Sequence, residues 1–175
     1  MKLKAIATVI PALFSVSAFA ADIEGGTSRV TFTGKVIEAS CTVSQDSLNQ
    51  VIDMGTIAAG DLSQARKGKE RNFNIKVSGC NDTDGLAKAY VIFKGATTNQ
   101  DSTILSTTGN NDTVGIEIKH NGQPVILDGE AKTADVKIGG DGNALFNFTA
   151  NYVALQDNVE TGDANASADF TIFYN

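Results

Sequence analysis

Three kinds of side chain in this sequence could carry chemistry. They are the thiols of Cys41 and Cys80, the imidazole of His120, and the carboxylates of Asp82, Asp84 and Asp141 among Gly and Asn residues. A thiolate–imidazole pair or a zinc site needs those groups in clustered spacing, such as CxxC or two histidines one helical turn apart. Here the cysteines are far apart and His120 is the single histidine. No G-x-S-x-G nucleophile turn occurs. The carboxylates do not meet the D-x-[DN]-x-[DN]-G spacing of a calcium loop. The expectation is therefore no enzyme, no cofactor and no metal site. His120 precedes Asn121-Gly122, a strong hairpin-turn pair, and is expected as an exposed strand-end residue.

What the cysteines do depends on where the chain goes. Lys2 and Lys4 open a positive segment, Ala5 to Phe14 is apolar apart from Thr8 and Pro11, and Ala18-Phe19-Ala20 is a small-residue cleavage motif. That order reads as a secretory signal peptide over residues 1–20, with the mature chain starting at Ala21. The apolar run is far shorter than the ~20 residues a membrane span requires. An oxidising destination makes a Cys41–Cys80 disulfide the default, with a metal site or a reactive thiol as the alternatives. The bridge would close a loop of about 40 residues, worth ~3–4 kcal/mol in the chain-entropy account.

Charge narrows the partners. The chain has 14 basic and 20 acidic side chains, and two of the basic ones leave with the leader. The mature chain then carries net −8, which argues against nucleic acid or an anionic membrane held by charge. The one basic cluster, Arg66 to Arg71, lies in a polar stretch and reads as a solvated loop.

The elements that must position these residues are strands. No long segment keeps a 3.6-residue apolar period, and short alternating runs recur between Gly, Asn and Asp clusters. The expected strands are Gln50–Ile57, Asn72–Val77, Ala87–Phe93, Val114–Ile118, Val125–Leu127, Val136–Ile138, Leu145–Leu155 and Ala164–Tyr174, with a short helix possible over Leu62–Lys69. Eight or nine such strands suggest a sandwich. One stretch behaves oddly. Val30, Phe32, Gly34 and Val36 share one face, with Thr31, Thr33 and Lys35 between them, but from Ile37 the apolar side chains switch to odd positions. A single strand cannot present one core face in both registers. Either a bulge re-aims it or the two segments serve two different cores. The tail, Ala164 to Tyr174, alternates cleanly except at Phe173, and a strand this apolar is expected to be central or paired.

These pieces together resemble the subunits of chaperone–usher fimbriae, of the type 1 major-subunit kind. The resemblance is carried by Val30-Thr31-Phe32-Thr33-Gly34 ahead of Cys41; by Val51-Ile52-Asp53-Met54-Gly55; by Phe73-Asn74-Ile75-Lys76-Val77 before Cys80; and by Phe148-Thr149-Ala150-Asn151-Tyr152. Gly162 and the penultimate Tyr174 complete it. It covers essentially the whole mature chain.

The resemblance implies an incomplete immunoglobulin-like β-sandwich that lacks its last strand, preceded by a donor-strand extension. Residues 21–36 would form the arm and residues 37–175 the pilin domain. Val30, Phe32, Gly34 and Val36 would enter a neighbouring subunit's groove. Gly162, Ala168, Phe170, Ile172 and Tyr174 would form the groove that accepts such an arm. Implied partners are identical or related pilin subunits, a periplasmic chaperone, an outer-membrane usher, and tip adhesin or adaptor subunits. The destination would be a surface fimbrium, reached through the periplasm, that supports cell adhesion. A shaft subunit is expected, with a minor adaptor as the alternative. A reading from another class is a complete, monomeric, secreted β-sandwich that binds a glycan or small ligand.

Overall fold

The structure is a computed structural model that describes residues 41–80, 87–99, 101–109 and 112–175. These all belong to one compact unit, Ile37–Asn175. The expected signal peptide, the arm with Val30, Phe32, Gly34 and Val36, the change of phase after Val36, and Asp82 and Asp84 lie outside the described residues.

In chain order the elements are β1 (Thr42–Val43), α1 (Ala59–Ala65), β2 (Arg71–Ser78), β3 (Lys88–Gly95), β4 (Thr97–Thr98), β5 (Asp101–Ser106), β6 (Val114–His120), β7 (Gln123–Pro124), β8 (Asp128–Lys132), β9 (Val136–Lys137), β10 (Ala144–Ala154) and β11 (Ala168–Tyr174). They form two sheets with antiparallel pairing throughout. The first runs β1-β2-β10-β6-β5-β4, with β7 added on β6. The second runs β11-β3-β8, with β9 also on β3.

Alternation explains the core. In β10, Ala144, Phe146, Phe148 and Ala150 point inward while Leu145 and Asn147 face out. In β3, Ala89, Val91 and Phe93 are buried from the other sheet. The sheets meet in an aromatic centre. Phe148 stacks on Phe73 at 5.2 Å and takes the edge of Phe93 at 5.1 Å. A second, smaller cluster gathers Leu62 of α1 with Val114, Ala154 and Val159.

The expected and observed strands differ where local pattern and tertiary pairing conflict. Val125 and Leu127 are buried as expected but form no strand. The chain is crossing between sheets there. The N–H of Val125 donates to Ile118 O, that of Leu127 to Ser102 O, and Leu127 O accepts from the N–H of Gly95. Strands β5 and β8, rich in Asp, Ser, Gly and Lys, carry little apolar alternation and were not expected. The helix begins three residues before Leu62. It stops because Arg66 takes a left-handed conformation (φ 65°), after which Lys67 bridges to Val153. The basic cluster beyond it is largely exposed, as expected.

Cys41 and Cys80 form a disulfide that ties the start of β1 to the turn after β2. Backbone packs tightly beside it. A Cβ on Gly142 (φ +71°) would lie 2.5 Å from Cys80 O, so this position needs glycine for both space and conformation.

His120 is a correction. It ends β6 as expected but is buried, 5% exposed. Its parity explains this: Ile116, Ile118 and His120 share the core face of β6. The ring lies 4.9 Å from that of Phe148. Its two nitrogens meet Asn147 O at 3.0 Å and Asn121 Nδ2 at 3.3 Å. With Nδ1 protonated, the ring donates to the carbonyl and accepts from the amide, so a neutral imidazole is fully paired.

Candidate functional site: an open apolar cleft beside the last strand

A cleft of about 1140 Å³ opens into the core between two stretches of chain. One lip is residues 48–55 and the other is residues 164–172, which include most of β11. The floor consists of core side chains from both sheets, chiefly Phe73, Ile75, Phe93, Ile116, Ile118 and Tyr152. Two sheets of a sandwich normally close over such side chains. Here the opening leaves Phe73 and Tyr152 only half-buried above Ile75, Phe93, Ile116 and Ile118, which are buried.

The second lip explains why. β11 pairs with β3 from Ala168↔Gly95 to Tyr174↔Ala89, and among the described residues it has no partner on its other side. The strand expected from Ala164 begins only at Ala168. Residues 164–167 carry none of the β-branched or aromatic side chains that favour a strand. Of the two arrangements expected for so apolar a strand, central or paired, β11 is paired, and among the described residues on one side only. Ala168, Phe170, Ile172 and Tyr174 are each half-buried against the core cluster, while Asp169, Thr171 and Phe173 face out. Phe173, the residue that breaks the tail's alternation, stacks on Tyr90 at 5.3 Å on the outer face.

Backbone direction follows from the ladder. Asn175 and Lys88 exchange two hydrogen bonds of 2.9 Å. Antiparallel pairs alternate between bonded and non-bonded, so Phe173, Thr171 and Asp169 also bond to β3. The N–H and C=O groups of Ala168, Phe170, Ile172 and Tyr174 therefore point to the open edge.

The first lip is an extended stretch without a ladder, although its composition suggests a strand. Among the described residues, residues 49–57 make no backbone–backbone hydrogen bond. Side chains hold it instead. Gln50 Nε2 donates to Asn74 O at 2.7 Å, Arg71 Nε donates to Met54 O at 3.3 Å, and Asp53 Oδ1 accepts from the N–H of Gly55 at 2.9 Å. Met54 packs into the core, whereas Val51 is 94% exposed at the rim. Tyr152 lies near Asp53 and Arg71. Burial pushes its phenol pKa up, Asp53 adds to this and Arg71 opposes it.

The sequence-based site residues fall into place unevenly. Ala168, Phe170 and Ile172 line the cleft. Tyr174 packs on the same core at the far end of β11 without lining it, and burial raises its phenol pKa. Gly162 is exposed and outside the lining. The lip at 48–55 was not expected as part of the site. Val51-Ile52-Asp53-Met54-Gly55 was visible as a segment, but nothing local says that it lacks a partner. Asp141 is turn-forming: it accepts from Asn143 Nδ2 and from the backbone N–H of Asn143, which holds its carboxyl below the usual range.

An immunoglobulin-like sandwich with a cleft into its core and a strand paired on one side offers an edge to which an extended segment can be added. The chain belongs to the fimbrial protein family, whose model matches residues 30–175. It is 35% identical to long polar fimbria protein A of Salmonella typhimurium over 93% of this chain and 91% of that protein. The type-1 fimbrial protein A chain of Escherichia coli K12 is 31% identical over 99% of this chain and all of the relative. A solved chaperone–usher pilus, described for the molecular basis of rod uncoiling, superposes with a TM-score of 0.69 at 26% identity, covering 89% of this chain and all of that one. This chain is thus a structural subunit of a bacterial surface fimbrium, of the major-subunit kind, exported through the periplasm. The family is a structural one rather than an enzyme family. No helix among the described residues is long and apolar enough to cross a membrane.

Proposed function

We propose that subunits join by strand addition: the arm of one molecule, residues 21–36, fills the cleft of the next along β11. The observation that carries this is the apolar cleft of about 1140 Å³ beside a strand paired on one side only. Val30, Phe32, Gly34 and Val36 enter the cleft, and Ala168, Phe170, Ile172 and Tyr174 receive them. Burying Val30, Phe32 and Val36 contributes roughly 1.5–3 kcal/mol each, beside the new main-chain ladder. Gly34 fits where backbone approaches the floor with no Cβ between. The segment Ile23 to Val36, extended at ~3.3 Å per residue, spans roughly 45 Å, enough for the length of a sandwich.

An exposed apolar stripe and a free edge are aggregation hazards before assembly. A periplasmic chaperone that lends a strand to the same cleft, and an outer-membrane usher at which the arm replaces it, answer that hazard. The resemblance to a chaperone–usher pilus supports both partners, and related subunits and a tip adhesin complete the fibre. Gly162, exposed beside the second lip, belongs to the receiving surface rather than to the floor on this reading.

The test is deletion of residues 21–35 from the mature protein. The shortened subunit stays unpolymerised and binds a synthetic peptide copying Ile23 to Ile37. Normal polymerisation, or indifference to the peptide, would refute strand addition.

A further inference from the structure

The outward face of the second sheet carries a row of alternating charge that stops at the open edge. Asp128 on β8 is opposite Lys94 on β3, and Lys94 is opposite Asp169 on β11. All three side chains are exposed. The row reads acid, base, acid, and its next position is on whatever strand joins β11. Asp169 is the one charged residue within β11, and it also borders the cleft.

We infer that the next member of this row is Lys35 of a second copy of this chain, and that the Lys35–Asp169 pair fixes the register in which the arm joins. The inference rests on strand addition as proposed above. With Val30, Phe32, Gly34 and Val36 turned into the cleft, alternation leaves Thr31, Thr33 and Lys35 on the other face, so Lys35 is the single charge there. Laid antiparallel, as every pair in both sheets is, Lys35 opposite Asp169 sets Val36 against Ala168, Gly34 against Phe170, Phe32 against Ile172 and Val30 against Tyr174.

Three features agree with this register. The alternating part of the arm, residues 30–36, matches the seven residues of β11 one for one. The glycine falls opposite Phe170, the bulkiest side chain with which β11 lines the cleft, whose ring already reaches to 6.1 Å from that of Phe93. The pairs at Ala168, Phe170, Ile172 and Tyr174 are the ones whose backbone groups point to the open edge, so Lys35–Asp169 is a non-bonded pair, in which side chains stand closer. A parallel arm with the same face inward would put Thr31, not Lys35, beside Asp169. Arg29 in this register lies opposite Asn175, beyond the strand.

The experiment uses full-length mature chains and follows multimer formation by light scattering. K35D alone or D169K alone sets like charges opposite each other at every junction, and joining slows about threefold to tenfold at low salt. The double variant recovers. A mixture of the two single variants also recovers, because each arm then meets a groove of opposite sign. The slowing shrinks in about 1 M salt, where screening acts within ~3 Å. E130K, on β8 and away from the open edge, joins like wild type. Should D169K misfold, K35D and its response to salt still decide. Wild-type rates for K35D and D169K, or a mixture no faster than either alone, would overturn the pairing while leaving strand addition standing. So would an R29D defect rescued by D169K, which would move the register. A wild-type chain that joins without residues 21–35 would overturn both.

Discussion

At the scale of single residues, three carboxylates fix the turns that frame the sandwich. Asp128 Oδ1 accepts from the backbone N–H groups of Glu130 and Ala131 at 2.7 and 2.8 Å. Asp101 Oδ1 accepts from the hydroxyl and N–H of Thr103. Asp141 does the same with Asn143. In each case hydrogen bonding to the ionised form lowers the carboxyl pKa in the folded state, led at Asp128 by the bond from Ala131. A lowered folded-state value means that stability is present above the unfolded carboxylate value, about 3.9, and is lost as pH falls through the lower folded one. D128N is therefore expected to unfold at lower urea than wild type at pH 7, with the gap narrowing below about pH 4. Urea midpoints across that range check it. An unchanged gap would mean that the carboxylate's charge is irrelevant to the turn.

At the scale of elements, the two lips and the floor of the cleft should answer mutation differently. Phe148, 1% exposed and neighboured by four other rings, belongs to the floor's support. F148A is expected to cost about 3–5 kcal/mol of subunit stability. Val51, at 94% exposure on the first lip, touches little within the subunit. V51S should change stability by no more than about 0.5 kcal/mol. Its expected effect is on the occupant, weakening binding of the Ile23-to-Ile37 peptide by about fivefold through lost apolar contact. Denaturant melts and peptide titration separate the two; a V51S subunit that unfolds easily would assign the lip to the domain's own core.

Legibility also differed by element. Strands with clean alternation, such as β2, β3 and the first half of β10, were readable because burial on one face writes a period of two into the sequence. β5 and β8 were not, since polar residues there are held by neighbouring strands rather than by their own pattern. The first lip reads as a strand because it is composed like one; only the missing partner makes it a lip. His120 shows the converse. Its neighbours Asn121 and Gly122 suggested exposure, while its parity with Ile116 and Ile118 placed it inside.

At the scale of the whole molecule, the fold is a sandwich whose last strand is paired on one side only among the described residues. The tail's apolar alternation was visible from the start, and so was the arm's. That β11 is paired on one side only came from the resemblance and not from its alternation, because one sequence does not show which strands lack neighbours. On the strand-addition reading, this edge is open in the single subunit and filled in the fimbrium. Hydrogen exchange of the β11 amides tests it most directly. The N–H groups of Phe170, Ile172 and Tyr174 point to the open edge, whereas those of Thr171 and Phe173 bond to β3. In the subunit lacking residues 21–35, the first three should exchange fast and the last two slowly. In assembled fimbriae all five should be protected. Fast exchange at Phe170 and Ile172 in the fibre, or protection of all five in the shortened subunit, would contradict the account.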